Sequence, residues 1–196
     1  MIEWAKERNS MEHHLAEALK YIPKPKLCLQ AGGAHGVYPL YLAKYFDEVI
    51  TCEPHPDTWP ILKLAVSDVP KITCLNVALW DKDDRGHMVE FRILKPLTAY
   101  VGPGDEFDCI LIDSLGIKPD LIWLDVQGAE YLALIGAKVT LKTCQAVIIE
   151  DTRKGLEERV GVKPGSARKL LEESGFTDVL HECMDTLFVR LPDGDH

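Results

Sequence analysis

The sequence lacks any apolar run approaching the roughly 18 residues a membrane-spanning helix needs, so a transmembrane protein is not expected. It lacks a Cys-x-x-Cys pair, which argues against a zinc ribbon or a thioredoxin motif. It lacks basic excess: 22 Lys and Arg against 31 Asp and Glu give a net charge of −9, a poor match to tight nonspecific binding of a nucleic-acid backbone. Its 14 glycines and 12 prolines follow no period, which excludes a collagen-like fibre. Aromatic residues make up only 8%. What is present is 196 residues, 46% hydrophobic and 27% charged. That suits a single globular domain over 1–196, because a chain this apolar can bury enough surface to offset its ordering entropy.

The opening residues Met1–Arg8 carry acids and no apolar stretch, so no secretory signal is expected. A cytoplasmic location is the corresponding expectation. Six cysteines (Cys28, Cys52, Cys74, Cys109, Cys144 and Cys183) lie in or beside strand-like segments and read as small, reduced, buried hydrophobes.

Met11, Leu15, Ala18 and Ile22 recur at helical spacing, so an amphipathic helix is predicted, ending before Pro23 and Pro25. Residues 1–22 form an N-terminal extension that could cover the sheet's C-terminal edge, and 23–196 form the core. Strands are predicted at Lys26–Gln30, Glu48–Glu53, Ile72–Val77, Asp108–Ile112, Leu121–Val126 and Gln145–Asp151, with an edge strand at His87–Leu94. Helices are predicted at Val37–Phe46, from an Asp57 cap to about Val66, at Gln127–Leu141 and at Ser166–Ser174. Pro96–Glu106 and 152–163 read as loops. Phe176–His181 and Thr186–Leu191 read as a closing hairpin that adds one antiparallel strand. Strands alternating with helices imply an α/β fold: a doubly wound, mostly parallel sheet with helices on both faces. Ligands bind such sheets beyond the carboxyl ends of the strands, near the switch point.

Chemistry is therefore sought at the strand ends. The first strand runs into Gln30-Ala31-Gly32-Gly33-Ala34-His35-Gly36, a turn through which backbone can approach a ligand closely. The dinucleotide fingerprint G-x-G-x-x-G fails, because Ala34 and Val37 stand where it needs glycine. Glu53 ends the second strand 21 positions after Gly32, where an acid accepts hydrogen bonds from a ribose diol. Pro54 and Pro56 stiffen the turn after it. The third strand runs into Asn76, Val77 and Ala78, where an adenine would lie in such a fold. Asp125 stands at the end of Leu121–Val126, ahead of Gln127 and Gly128, and Glu130 reads as a first-turn residue serving the helix dipole.

The segments Gln30–Gly36, Cys52-Glu53-Pro54-His55-Pro56, Asn76-Val77-Ala78-Leu79 and Leu124-Asp125-Val126-Gln127-Gly128-Ala129-Glu130, with Leu134-Ile135-Gly136-Ala137, resemble the FkbM family of S-adenosylmethionine-dependent methyltransferases. The resemblance covers about residues 26–151. The tail Leu171–Phe176 and the hairpin look like the ending of many class I methyltransferases. It implies the class I, Rossmann-like, seven-stranded fold. It also implies S-adenosyl-L-methionine as cofactor, S-adenosyl-L-homocysteine as product and a hydroxyl of a sugar or small metabolite as acceptor. Gly32, Gly33 and Gly36 would accommodate the methionine end and Glu53 the ribose, with Gln30, His35 and Pro54 close by. Asn76, Val77 and Ala78 would lie near the adenine, and Asp125 beside the sulfonium and acceptor.

Two residues depart from the family pattern: Gln30 and Gln127 replace acids. Asp125, Glu150, Asp151 and His35 are candidate bases, with Asp125 and Glu150 foremost. Asp125, Glu150 and Asp151 could together hold Mg²⁺, but the resemblance calls for no metal and none is expected. The partner is a small-molecule or saccharide acceptor, with neither nucleic acid nor membrane expected. The pattern specifies no oligomeric state. The alternatives are a weak or inactive relative, motivated by Gln30 and Gln127, and a dinucleotide-binding oxidoreductase module.

Overall fold

In a computed structural model of the chain, residues 2–89, 99–151 and 155–191 are described, with side chains from Asn9 onward. Seven strands form the main sheet: β1 (Leu27–Ala31), β2 (Glu48–Cys52), β3 (Ile72–Leu75), β8 (Leu121–Leu124), β9 (Ala146–Glu150), β10 (Thr177–Glu182) and β11 (Asp185–Val189). Their spatial order is β10-β11-β9-β8-β1-β2-β3. β11 runs antiparallel to both of its neighbours, and every other pairing is parallel. This is the α/β architecture expected, including the single antiparallel strand at the end.

β8 and β9 are buried at every position, which is why both read as continuous apolar runs. The side-chain period of two divides the central strands between two cores. Leu29, Ile122 and Leu124 pack with Ala133, Leu134, Ala167 and Leu171, from α4 (Glu130–Ile135) and α6 (Ser166–Glu173). Cys28, Leu121 and Trp123 pack on the other face with Leu15, Leu42 and Leu62. These come from α1 (Ile2–Ala18), α2 (Val37–Leu42) and α3 (Thr58–Ala65).

α1 lies against β11 and β10. Its Met11, Leu15 and Ala18 are buried there, and the chain ends the helix before Pro23 as the sequence implies. His14 is fully buried at this seam, its Nδ1 on the Ser10 carbonyl at 2.9 Å and its Nε2 3.2 Å from the Asp185 carbonyl. Burial lowers the His14 pKa. Among the described residues no helix is long and apolar enough to cross a membrane.

Several expectations need correction. The third strand does not run unbroken to Val77. Asn76 interrupts it, and β4 (Val77–Leu79) leaves for a second sheet of order β4-β7-β5-β6, with β5 (Asp84–Val89), β6 (Tyr100–Pro103) and β7 (Phe107–Ile110). Gly102 and Pro103 are therefore paired with β5 and not looped out. Gly102 is tolerated there because a Cβ would fall 2.7 Å from Val89. Residues 90–94 of the expected edge strand, and 152–154 of the expected loop, lie outside the described residues. The rest of that loop contains α5 (Leu156–Arg159). Asp57 does not cap α3 with its side chain. The His55 ring accepts the Asp57 N–H at 3.1 Å and the His55 carbonyl accepts Trp59 N–H at 2.9 Å. Cys183 is exposed, not buried, because it sits in the β10–β11 turn with φ +57°.

Candidate active site

Ala31 of β1 stands level with Cys52 of β2 and with Leu124 of β8, and Leu124 with Ile149 of β9. The next residues, Gly32, Glu53, Asp125 and Glu150, therefore emerge together at the carboxyl ends of four adjacent strands. The chain passes from β1 to β2 on one side and to β8 on the other, so this is the switch point of the sheet.

The glycine turn is shaped chiefly by the protein itself. Gly32 has φ +86°, and a Cβ on it would come 2.0 Å from the Asp125 carbonyl oxygen. A Cβ on Gly33 would meet Leu62 at 2.6 Å and Thr51 Oγ1 at 2.7 Å. Gly36 starts α2 in the left-handed region, against Ala65. Gly32 and Gly33 donate their N–H groups to the Cys52 carbonyl at 3.0 and 3.1 Å. Ala34 donates to Glu53 Oε2 at 2.7 Å, and Gly36 to the Gly33 carbonyl at 2.8 Å. The turn thus offers close backbone approach, while these four amides are spent inside the protein. His35 is exposed on the turn.

Glu53 is buried, and its carboxylate is held by main chain: Ala34 N–H on Oε2 and His55 N–H on Oε1 at 2.9 Å. Each oxygen keeps a second lone pair, so the group can still accept from a diol. Asn76 secures the same turn from β3, its Nδ2 donating to the Glu53 carbonyl at 2.9 Å and lying 3.4 Å from that of Pro54. Val77 is half-buried against the main core, and Ala78 is buried in the small sheet's core beside Phe107 and Cys109.

Gln30 is fully buried. Its Nε2 donates to the Ala31 carbonyl at 3.0 Å, and Thr51 Oγ1 donates to its Oε1. Thr51 is its register partner on β2. A polar residue at matched positions of two neighbouring buried strands was the available signal for this pair.

At the β8 and β9 tips, Asp125 is partly exposed and Glu150 is buried. The Gln127 amide lies between them, its Nε2 2.8 Å from Asp125 Oδ1 and 2.9 Å from Glu150 Oε2. Gln127 carries φ +56°, and Gly128 after it φ +103°. A Cβ on Gly128 would fall 2.3 Å from the Leu156 carbonyl oxygen, so the α5 segment packs onto this turn. Glu130 closes the turn from beneath, accepting the N–H groups of Val126 and Gly128 at 2.9 Å each. Burial pushes its carboxyl up to about 8.

Asp151 does not belong with this group. It is turned to the C-terminal hairpin, where Arg168 Nη2 meets Oδ2 at 2.7 Å and Thr186 Oγ1 donates to Oδ1 at 2.7 Å. A carboxylate so paired is a structural anchor, not a base, and it cannot complete an Mg²⁺ site with Asp125 and Glu150. Among the described residues no group of three or more His, Cys, Asp or Glu side chains could hold a metal ion.

Comparisons with known proteins agree with the fold. The methyltransferase FkbM from Methylobacillus flagellatus is similar in structure, with TM-score 0.57 and 18% identity over 85% of this chain. The match spans 43% of that protein, so this chain corresponds to less than half of its length. The N-methyltransferase NodS from Bradyrhizobium japonicum gives TM-score 0.58 and 14% identity, covering 97% of this chain and 99% of that one. Magnesium protoporphyrin IX methyltransferase from Synechocystis, solved with S-adenosylmethionine bound, gives 0.55 and 14%, covering 93% and 80%. No curated protein matches the sequence. The sequence matches the methyltransferase FkbM domain over residues 30–177, three quarters of its length. The chain, with its seven-stranded class I sheet, therefore belongs to the FkbM family of methyltransferases.

Proposed function

We propose that this chain transfers a methyl group from S-adenosylmethionine to a hydroxyl of a sugar or other small metabolite. The observation that carries this reading is the alignment of Gly32, Glu53 and Asp125 at one switch point: a close-approach turn, a diol acceptor and a partly exposed carboxylate. When bound there, the cofactor supplies an electrophilic methyl on a sulfonium. Glu53 holds the ribose hydroxyls through its remaining lone pairs. Gly32 and Gly33 leave room for the amino-acid end, and Asn76 keeps the Glu53 turn in place below the adenine. Asp125, with Glu150 behind it, orients the acceptor hydroxyl and takes its proton.

A weaker cofactor binder is the second reading, favoured by Gln30. That side chain is neutral and committed to Thr51 within the sheet, so no charge from this position faces a cationic ligand.

Calorimetric titration with S-adenosylhomocysteine and with NADH tests the proposal, followed by methyl-transfer assays over sugars, phenols, peptides and RNA. Binding of S-adenosylhomocysteine and transfer to a hydroxyl are expected. Binding of NADH alone, or transfer only to RNA, overturns it. A strong gain in affinity on Gln30→Asp would favour the second reading.

A further inference from the structure

At the other end of the sheet lies a cleft that the methyl-transfer site does not use. β11 runs antiparallel to β9, and its last residue, Val189, stands level with Ala146, the first of β9. Arg190 therefore emerges at the amino ends of the parallel strands, away from Asp125 and Glu150. Beside it, the segment after α4, the short 3₁₀ turn Thr140–Lys142 and the end of α6 enclose a cleft of about 320 Å³. That is at the small end of the range that ligand sites occupy.

The lining is of two kinds. Leu134 and Leu141 are buried and Leu170 is half-buried, and all three pack with the main core. They form an apolar wall that an aliphatic chain can cover. Lys138 and Lys142, both exposed, line the same cleft with Arg190. One acid, Glu173, stands with them, its Oε1 3.7 Å from Lys169 Nζ. Three cations and one acid reverse the balance of a chain whose net charge is −9.

Arg190 is fixed by its own protein. Its Nη2 donates to the Leu141 carbonyl at 2.9 Å and to the Ser174 carbonyl at 3.1 Å, and its guanidinium lies 4.6 Å over the Phe176 ring. Main-chain carbonyls hold the fork without neutralising its charge, so little rotamer freedom is lost when it meets an anion. A free inorganic anion would leave the apolar wall uncovered. A neutral lipid would leave the cations unused.

We propose that this cleft binds a small amphipathic carboxylate, its aliphatic tail against Leu134, Leu141 and Leu170 and its charge among Lys138, Lys142 and Arg190. The site is independent of the methyl-transfer reading, because none of these residues stands at the switch point.

The test is calorimetric titration of the full chain with octanoate, 1-octanol and inorganic phosphate. Saturable binding of octanoate is expected, at one molecule per chain, with 1-octanol and phosphate each at least tenfold weaker. Each methylene added between hexanoate and octanoate should raise affinity about fourfold. Lys138→Glu should weaken octanoate roughly tenfold, since it reverses one of the three charges. Leu170→Asp, which puts a carboxylate on the apolar wall, should abolish binding. Thermal unfolding shows whether Leu170→Asp is folded, and if it is not, the exposed Lys138 decides the matter by itself. Equal binding of octanoate and 1-octanol, or an unchanged octanoate affinity in Lys138→Glu, overturns the proposal. So does displacement of octanoate by S-adenosylhomocysteine, which would put it at the switch point. Residues 192–196 carry Asp193 and Asp195 and follow directly on this end of the chain. Octanoate that binds only to a chain ending at Leu191 would make that tail the occupant of the cleft, and would also overturn the proposal.

Discussion

At the tip of β2 a single carboxylate, Glu53, is held by main chain, by the N–H groups of Ala34 and His55. At the tips of β8 and β9 a side chain, the Gln127 amide, reaches two carboxylates, Asp125 and Glu150. The first region depends on backbone shape, so its sensitive residues are glycines and the residues that keep the strands together. The second includes a side-chain donor, the Gln127 amide, that one substitution removes.

The comparison is broken most severely at Gly32. Gly32→Ala would place a methyl 2.0 Å from the Asp125 carbonyl and force an L side chain to φ +86°. A loss of about 3 kcal/mol or more is expected, read as a shift in urea midpoint, from overpacking plus left-handed strain. Because the clash is with Asp125, this variant should disturb both regions.

Next comes Thr51→Val. It leaves the fully buried Gln30 Oε1 without the Thr51 donor, which should cost about 1–3 kcal/mol in chemical denaturation. The β8–β9 tips should be unaffected.

Glu130→Gln sharpens the second region through pH. Burial raises the Glu130 carboxyl from 4.5 to about 8. A raised folded value means its stabilising contribution is complete below about pH 4.5 and is lost as pH rises through about 8. Wild-type melting temperature should therefore fall from pH 5 to pH 8 more steeply than that of Glu130→Gln, with a relative change on the order of 1 kcal/mol or more. Parallel curves would show that the Val126 and Gly128 amides outweigh burial.

The smallest effect on stability is expected for Glu53→Gln, about 1 kcal/mol, since an amide oxygen can replace one of the two accepted N–H bonds. With Glu53 as the proposed ribose acceptor, affinity for S-adenosylhomocysteine should still fall, roughly tenfold, because its carboxylate charge is gone. An unchanged affinity would remove Glu53 from the ribose-binding role.

Much of the fold was legible in the chain. The short apolar runs Leu121–Leu124 and Ala146–Ile149 read as strands buried on both faces, and the helices between strands point to a parallel sheet. The alternating spacing of acids and glycines at strand ends located the switch point. The small sheet was not legible. Tyr100–Pro103 contains Gly102 and Pro103, which locally read as a turn and became a strand only because β5 lies alongside to pair with it. Val77, the first residue of β4, reads as the end of β3 for the same reason: nothing local says that Asn76 turns aside to anchor the Glu53 carbonyl.

The sequence by itself determined the sheet, the order of its parts and which residues stand at the strand ends, because burial periodicity and strand–helix alternation are local properties that the hydrophobic effect enforces along the chain. Only the tertiary structure decided what those residues do to one another. Asp125, Glu150 and Asp151 all read as carboxylates at strand ends, yet Arg168 and Thr186 take Asp151 for the hairpin, while Gln127 reaches the other two. The reason is physical: the state of a carboxylate depends on which donors reach it within about 3 Å, and those donors come from segments far apart in the chain.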